Sequence, residues 1–368
     1  MTTRRVYAVI TGGGTGGHVT PALAIADALV ARGHARDEIA FVGARRGLEA
    51  NAVPDAGYDI ELLGLDGIQR SFAPRDLVRS LRAVLAFARA LLHCYRTLRR
   101  AEPDVVVGVG GYASAPCVLG ARLARIPTVV HEQNAVPGLV NRVAVRLGAR
   151  AAVSFPGSRW PEATVTGNPL RAEMLATTHH PATPPRLAIV GGSLGAGRLN
   201  ELGLALYDRW RDRTDVAVTH VAGPTHAAAC RDRLDAIRRP TDRLDYDLVD
   251  FETDMAGLYA RAALLVCRAG ATTVAEVTAV GVPAVYVPWS GSAEGQQDAN
   301  ARMVVARGGG VLVADTECTP SRVVPLVEEL LGDPSRLDSM ANAARRLGRP
   351  DAAELVVDLV EEVARAAA

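Results

Sequence analysis

The apolar positions of the chain fall into short runs that alternate with longer stretches of helical periodicity. In the first half, buried-strand patterns cover residues 6–10, 39–42, 105–109 and 128–130. The alternation resumes later, with strand patterns at 187–190, 216–221, 264–267 and 284–288. Short apolar runs separated by helical stretches predict βαβ units and mostly parallel sheets. We therefore expect an α/β protein with two Rossmann-like halves.

A change of pattern separates the two halves. Residues 166–171 read Thr-Gly-Asn-Pro-Leu-Arg, which is turn chemistry, and residues 179–185 are rich in proline and threonine. We interpret this region as an interdomain linker. A chain of 368 residues is also longer than a single core comfortably accommodates, which favours two domains.

A strand followed by a glycine-rich turn and a helix opens each half. The first turn runs from Gly12 to Gly17 and leads directly into His18, and the second covers residues 191–197. Backbone N–H groups in such a turn can surround an anionic oxygen at a helix N-terminus. His18 is the group there that titrates near neutral pH, which makes it a candidate acid or base.

The first turn also satisfies the GxGxxG pattern of dinucleotide-binding proteins, which is a weak signal by itself. An NAD site expects an acid at the end of the second strand, but here that strand runs into Gly43-Ala44-Arg45-Arg46. Since Arg45 and Arg46 could bind a 2′-phosphate, an NADP-dependent oxidoreductase is an open alternative at this point. A non-catalytic binding scaffold is a second alternative.

Overall composition narrows the choice of partners. The formal net charge of +1 argues against a broadly basic nucleic-acid binder, so no nucleic acid is expected. Five widely spaced cysteines without a CxxC motif favour neither a disulfide framework nor a zinc site, and they suggest a reducing compartment. The apolar run at 6–10 is too short for a signal peptide, and no apolar stretch approaches the roughly 20 residues of a membrane span. We expect a cytoplasmic protein.

Positive charge is concentrated in one predicted helix, residues 75–100. Between residues 68 and 100 there are eight arginines and one acid, Asp76. Helical spacing places leucines and other apolar residues on one face and most arginines on the other. An ordinary crossover helix with a solvated charged face is the default interpretation, and a patch that meets anionic lipid headgroups is the alternative.

The second half carries two further candidate motifs. Arg268-Ala-Gly-Ala-Thr-Thr-Val-Ala-Glu276 follows a strand and predicts a helix whose first turns offer hydroxyls, N–H groups and a carboxylate. Such a helix start suits phosphates and a ribose, although a well-capped structural helix explains the segment about equally well. The adjacent amides of Gln296 and Gln297 suit sugar hydroxyls, and for a single glutamine capping or solvation is the more ordinary role.

Taken together, these motifs resemble the MurG family of bacterial peptidoglycan N-acetylglucosaminyltransferases. The matching segments run in the family's order from residue 11 to about residue 301: GGGTGGHVTPALAIADAL, GGYAS, HEQNAVPGLVNR, GNPLR, GGSLGAG, CRAGATTVAEVTAVGVPAVYVPW and QQDANA. A dinucleotide oxidoreductase explains neither the second glycine loop nor the CRAGATTVAE segment. The resemblance therefore favours a glycosyltransferase.

The resemblance implies a GT-B fold, with two Rossmann-like domains facing a cleft. The implied N-terminal domain covers residues 1–165 and is joined by a C-terminal helix at about 345–368, while residues 166–344 form the donor domain. The implied donor is UDP-GlcNAc and the acceptor is lipid I, undecaprenyl-pyrophosphoryl-MurNAc-pentapeptide. GlcNAc would move to the C4 hydroxyl with inversion, giving lipid II at the cytoplasmic face of the membrane. No metal or cofactor is expected.

The resemblance also implies roles for individual residues. His18 is the candidate base and Glu132 the second catalytic candidate. The implied donor contacts are Thr15, Gly16, Gly17, Asn134, Arg171, Ser193, Glu252, Ala271, Thr272, Thr273, Val274, Ala275, Glu276, Gln296 and Gln297. Ser193 would meet the diphosphate, Glu276 the ribose, backbone around Glu252 the uracil, and one of the two glutamines GlcNAc.

The acceptor side would be lined by Gly13, Gly14, Gly110, Gly111 and Tyr112. The N–H groups of the first glycine turn would face the lipid I diphosphate or the transferring sugar. A membrane patch is implied on the arginine-rich helix. It comprises Leu77, Arg79, Leu81, Arg82 and Leu85.

Overall fold

The computed structural model divides the chain into two compact units. Unit 1 contains Met1–Arg171 and Pro350–Ala368, and unit 2 contains Ala172–Arg349. The structure describes residues 6–14, 16–64, 74–157, 160 and 162–367, and for residues 74–82 it describes the backbone alone. Thr15 and the side chains of Leu77, Arg79, Leu81 and Arg82 lie outside this description.

Unit 1 is a parallel sheet with helices on its faces. Its strands are β1 (Ala8–Thr11), β2 (Ile39–Ala44), β3 (Asp59–Leu63), β4 (Val105–Gly108), β5 (Thr128–Glu132), β6 (Arg150–Val153) and β7 (Thr164–Val165). Its first five helices are α1 (Gly16–Ala31), α2 (Glu49–Asp55), α3 (Pro74–Ala101), α4 (Ala115–Leu123) and α5 (Leu139–Arg146). The strand order is β3-β2-β1-β4-β5-β6-β7, and every pairing is parallel.

Unit 2 repeats this plan with a second sheet. Its strands are β8 (Arg186–Val190), β9 (Ala217–Val221), β10 (Asp245–Val249), β11 (Ala262–Cys267), β12 (Ala284–Tyr286) and β13 (Val311–Leu312). Its helices are α6 (Ala172–Leu175), α7 (Gly197–Trp210), α8 (Ala227–Ile237), α9 (Met255–Arg261), α10 (Ala271–Val280), α11 (Gln296–Val305), α12 (Pro320–Leu331) and α13 (Pro334–Arg345). The strand order is β10-β9-β8-β11-β12-β13, again with parallel pairings.

The last helix, α14 (Ala352–Arg365), returns the chain to unit 1. Its Val356, Val357 and Val360 are fully buried in the core with Ile10 of β1 and Ile25 of α1. The apolar periodicity of this helix therefore completes the unit 1 core and does not form a separate element. It packs on α1 and on the central strands of the sheet.

Both sheets reverse their strand order at one point, between β1 and β4 in unit 1 and between β8 and β11 in unit 2. At such a switch point the loops leaving the carboxyl ends of the two strands diverge, and ligands bind in the crevice between them. In this chain, the four loops concerned are the two glycine turns and the segments that begin at Val109 and Arg268. The topology therefore directs attention to the motifs singled out by sequence.

Several sequence expectations change in detail. Helix α1 begins at Gly16, so His18 lies in its first turn, and β5 extends through Glu132. On α3, Val84, Leu85 and Leu92 are 63%, 47% and 47% exposed. The expected apolar face therefore does not enter the core as a whole, and the buried line runs through Cys94 and Leu98.

The expected linker at residues 179–185 is attached to unit 2. The backbone N–H groups of His180 and Ala182 donate to the carbonyls of Ala260 and Arg261, and the His179 ring bonds the Ala262 carbonyl. No helix within the described ranges is both long and apolar enough to cross a bilayer. The five cysteines are buried as free thiols.

Candidate active site

The loops after β1 and β4 meet at the switch point of unit 1. A Cβ atom added to Gly12 would lie 2.0 Å from the Val109 side chain, and one at Gly111 would lie 2.5 Å from the Gly13 carbonyl oxygen. The Tyr112 ring lies against Gly14, 3.4 Å from where a Cβ would be. Small residues are required here because two backbones approach closely. The structure thus brings together the five residues expected on the acceptor side.

His18 lies on the surface formed by these five residues, Gly13, Gly14, Gly110, Gly111 and Tyr112, which we call the acceptor wall. Cβ atoms built on Gly110 and Gly111 would be 3.3 Å and 3.5 Å from its imidazole, so the ring is bounded by the loop after β4. Burial lowers the pKa of His18 to about 4, although the negative charge of Glu49 acts in the opposite direction. The imidazole is therefore neutral at physiological pH and able to accept a proton.

Glu49, which the sequence reasoning missed, occupies the inside of the first glycine turn. Its side chain is buried, with the residue only 1% exposed. The Gly14 N–H donates to Oε2 over 2.8 Å, and the Ala44 N–H donates to Oε1 over 2.9 Å. The acid that seemed absent after the second strand is therefore present: it lies five positions beyond Ala44 and folds back onto the strand end.

This carboxylate corrects two expectations about the first glycine turn. The Gly14 N–H faces Glu49, so it does not face a substrate phosphate. A buried negative charge at that position also disfavours the diphosphate of a dinucleotide, whatever Arg45 and Arg46 could contribute at the strand end. The structure therefore removes the basis for the NADP alternative.

The Glu132 carboxylate holds together the loop that follows β5. Its Oε1 accepts from the N–H and the side-chain amide of Asn134, at 3.0 and 3.2 Å. Its Oε2 accepts from the Gly138 N–H and the Asn141 amide, each at 2.9 Å. Four donors therefore occupy the two oxygens of this buried carboxylate. Its geometry favours positioning the loop over acting as a base.

His131 and Gln133 tie the neighbouring strand ends together. The His131 Nε2–H donates to the Gly167 carbonyl over 2.9 Å, and Nδ1 accepts from the Gln133 amide over 3.0 Å. The same amide donates to the Val109 carbonyl over 2.8 Å. Burial lowers the pKa of His131 to about 4, so this network contains a neutral ring. Two buried polar side chains therefore fix the loops after β4 and β5.

The switch point of unit 2 presents a different glycine turn. Ser193 is exposed, Leu194 is 69% exposed, and the N-cap residue of α7, Ala196, makes no side-chain capping hydrogen bond. A Cβ at Gly195 would overlap the Ala222 carbonyl, so this turn packs directly on the loop after β9. Its backbone and the start of α7 form a site suited to an anion.

Helix α10 begins after β11, and its N-cap residue is Gly270, which has no side chain to cap the helix. Ala271 and Val274 are buried, whereas Thr272, Thr273 and Ala275 are partly exposed. On the second turn, the Glu276 carboxylate accepts a hydrogen bond over 3.1 Å from the hydroxyl of Tyr259, which is itself buried. Tyr259 was not singled out by sequence, and it fixes the acid expected to bind a ribose.

The two glutamines of α11 have different environments. The Gln297 Oε1 accepts from the Trp289 N–H over 2.8 Å and from the Ala269 N–H over 3.3 Å. Gln297 therefore joins the loop after β11 to the loop after β12. Gln296 precedes it at the start of α11 and is partly exposed.

A buried ion pair braces the same loops. Arg268 donates to Asp315 over 2.7 Å and to the Val287 carbonyl over 2.9 Å. The other oxygen of Asp315 accepts from the Ser290 hydroxyl over 2.7 Å. Burial alone would raise the pKa of Asp315, but the hydrogen bonds from Arg268 and Ser290 hold it below its usual value.

The remaining expected residues are dispersed. Glu252 turns onto its own chain, where it accepts from the Asp254 N–H over 2.7 Å, and Arg171 is exposed as the last residue of the first segment of unit 1. Gly16 and Gly17 form the first residues of α1. Within the described ranges, no group of three or more His, Cys, Asp or Glu side chains is arranged to hold a metal ion.

Several known proteins match this chain over nearly its whole length. An Anaeromyxobacter protein named UDP-N-acetylglucosamine–N-acetylmuramyl-(pentapeptide) pyrophosphoryl-undecaprenol N-acetylglucosamine transferase is 40% identical over 365 residues, covering 97% of this chain and 93% of the relative. A protein of the same name from Alkalilimnicola ehrlichii is 42% identical over 368 residues, covering 97% and 99%. The crystal structure of Acinetobacter baumannii MurG matches with a TM-score of 0.78 and 30% identity, covering 97% and 99%.

Two Rossmann-like units with a site at each switch point, and these neighbours, define a glycosyltransferase of the GT-B class. More narrowly, the chain belongs to glycosyltransferase family 28. The N-terminal domain of that family matches residues 8–153, and its C-terminal domain matches residues 186–356.

Proposed function

We propose that this enzyme transfers GlcNAc from UDP-GlcNAc to lipid I, giving lipid II for peptidoglycan synthesis. The observation that carries the proposal is the near-complete match to relatives named for this reaction, at 40% and 42% identity over 97% of the chain. The two switch-point sites supply the required parts. Unit 1 offers a neutral imidazole on an uncharged wall, and unit 2 offers an exposed glycine turn with a fixed carboxylate nearby.

The donor binds to unit 2. Its diphosphate meets Ser193 and the starts of α7 and α10, where backbone N–H groups and helix dipoles favour negative charge. Glu276, held by Tyr259, accepts from the ribose hydroxyls, and Thr272 and Thr273 line the nucleotide. The GlcNAc contact comes from the adjacent pair Gln296 and Gln297 at the start of α11, where the Gln297 oxygen also accepts from two loop N–H groups. The side chain of Val274 is buried, so this residue helps to position α10 and does not itself contact the donor.

The acceptor binds to unit 1, and His18 acts as the base. The C4 hydroxyl of MurNAc gives its proton to the neutral imidazole as its oxygen forms a bond to the anomeric carbon. The bond from that carbon to UDP breaks, and the electron pair leaves with the diphosphate. A single displacement of this kind inverts the anomeric configuration. A positioned base contributes roughly a hundred- to ten-thousand-fold to the rate.

Glu132 positions the acceptor loop and does not exchange a proton in this scheme. Its four hydrogen bonds hold Asn134 and the start of α5 beside the loop that bounds His18. Asn134 and Arg171 complete the donor side from unit 1.

The membrane contact lies on α3, on the cytoplasmic face of the membrane where the lipid substrate is anchored. Val84, Leu85 and Leu92 are exposed apolar residues, and Arg89 and Arg96 are exposed on the same helix. Exposed apolar side chains beside arginines suit a surface of anionic lipid. Leu77, Arg79, Leu81 and Arg82 belong to the patch that the resemblance implies, and their side chains lie outside the described residues.

A transfer assay with labelled UDP-GlcNAc and a lipid I analogue tests the proposal. We expect a disaccharide product whose formation depends on both substrates and that carries the inverted anomeric configuration. Binding of both substrates without product would indicate a non-catalytic scaffold. NADP binding without UDP binding would overturn the transferase assignment.

A further inference from the structure

A carboxylate buried inside a glycine turn is an unusual feature of unit 1. Cβ atoms at Gly13, Gly43 and Gly47 would lie 2.1, 2.5 and 2.0 Å from the Glu49 side chain, which these glycines surround. The slot is therefore shaped to admit this side chain, and two backbone N–H groups, from Gly14 and Ala44, point into it. Burying an ionised carboxylate costs several kcal/mol unless hydrogen bonds compensate.

The contacts run from this carboxylate to the reacting group. Glu49 holds Gly14 through its N–H, and Gly14 lies against the Tyr112 ring. The neighbouring Gly13 carbonyl abuts Gly111, which in turn bounds His18. Displacing Glu49 would release the turn that helps to fix the position of His18 on the acceptor wall.

We propose that Glu49 is a positioning residue that fills the first glycine turn from inside, fixes the wall on which His18 lies, and keeps anions off the Gly14 N–H. The turn then presents an uncharged surface to a sugar hydroxyl, and the acceptor diphosphate must bind elsewhere. This inference rests on the proposed function for its link to catalysis, but the filling of the slot does not depend on it.

Two variants displace the carboxylate in different ways. Glu49→Gln keeps the shape of the side chain but removes its charge. One of the two backbone N–H groups, of Gly14 or Ala44, would then face the NH₂ group of the amide, which cannot accept a hydrogen bond. Gly47→Ala keeps Glu49 but places a methyl group where the carboxylate lies. We expect both to lower kcat for transfer at least tenfold and to leave the KM for UDP-GlcNAc within twofold, because the donor binds to unit 2.

Two matched controls come from the same region. Asp55→Asn neutralises an exposed acid on α2, and Gly64→Ala adds a methyl group where no atom of the described residues lies within 4 Å. Both should retain kcat within twofold of wild type. A kcat for Glu49→Gln within twofold of wild type, or a donor KM that rises in step with the fall in kcat, would overturn the assignment.

A binding measurement separates this inference from the proposed function. With UDP saturating the donor site, inorganic pyrophosphate is titrated into wild type and Glu49→Ala. The emptied slot exposes the Gly14 and Ala44 N–H groups, so the variant should bind pyrophosphate at least fivefold more tightly. Equal affinity would overturn the anion-exclusion claim. A wild type that fails to transfer GlcNAc would overturn the proposed function, and the titration would still decide the role of Glu49.

Discussion

The two glycine turns of this chain begin alike and end in different chemistry. Each follows the first strand of its sheet and leads into a helix at a topological switch point. The turn in unit 1 contains the buried Glu49 carboxylate, whereas the turn in unit 2 exposes Ser193 and leads to a helix whose N-cap residue, Ala196, makes no side-chain capping hydrogen bond. A glycine-rich turn is therefore an anion site only when the protein's own acids leave its N–H groups available. On this difference we base our proposal that the acceptor binds at the first turn and the donor diphosphate at the second.

The largest expected effect comes from removing the imidazole on the acceptor wall. His18→Ala should lower kcat by about a hundredfold or more while the dissociation constant for UDP stays within twofold. The exposed His180 of unit 2 provides the matched control, and His180→Ala should retain full turnover. Normal turnover by His18→Ala would remove His18 as the base.

Each unit also contains a buried neutral histidine, His131 in unit 1 and His220 in unit 2, whose pKa burial lowers to about 4. In the unfolded chain these rings take up protons near pH 6.5, so stability is lost as pH falls from about 6.5 to about 4. When the pH falls from 7.5 to 5, protonation of each ring in the unfolded chain should lower the free energy of unfolding by about 2 kcal/mol.

Urea unfolding at the two pH values measures this loss. His18 is a third ring whose pKa burial lowers to about 4, so His220→Gln removes one of three and should reduce the pH dependence by roughly a third. A wild-type stability that is the same at both pH values would contradict the assignment of these buried rings as neutral.

A charge placed in the second turn should make it resemble the first. Ser193→Asp adds a carboxylate where the donor diphosphate is expected, and like-charge repulsion should weaken UDP binding about tenfold or more. The control is Ser193→Asn, because asparagine has the size of aspartate but no charge. This variant should bind UDP within about threefold of wild type. Calorimetric titration distinguishes the two, and equal affinities would place the diphosphate elsewhere.

The smallest effect is expected at the hydroxyl that holds Glu276. Tyr259→Phe removes one hydrogen bond to that carboxylate, and the KM for UDP-GlcNAc should rise about two- to tenfold with kcat little changed. Tyr207→Phe removes a comparable hydroxyl bond, to Asp242, in the same unit. An equal rise in KM for both variants would show a general loss of stability.

The apolar pattern predicted the central strands of both sheets because these runs are buried on both faces. It did not predict β3 (Asp59–Leu63) or β10 (Asp245–Val249), whose alternating acidic residues are exposed at a sheet edge. The motif residues near each switch point could be found by sequence because glycines and a histidine follow strands directly. Glu49 could not, since it lies beyond a turn and only the fold brings it back to Gly14.

The same limit applies to the glutamate and glutamine assignments. The sequence placed Glu132 and Gln297 among catalytic or sugar-binding residues by their motifs. The structure shows their oxygens engaged with backbone and amide N–H groups of the neighbouring loops. Spacing along a chain identifies a polar side chain near a site, and only its hydrogen-bond partners separate a ligand contact from a loop brace.

A structure with UDP-GlcNAc bound tests most directly whether the two turns have separate roles. We expect the diphosphate to lie on residues 191–197 and the start of α10, with the ribose at Glu276. The Glu49 carboxylate should still accept a hydrogen bond from the Gly14 N–H. A diphosphate on residues 12–17, with Glu49 displaced from the turn, would contradict it.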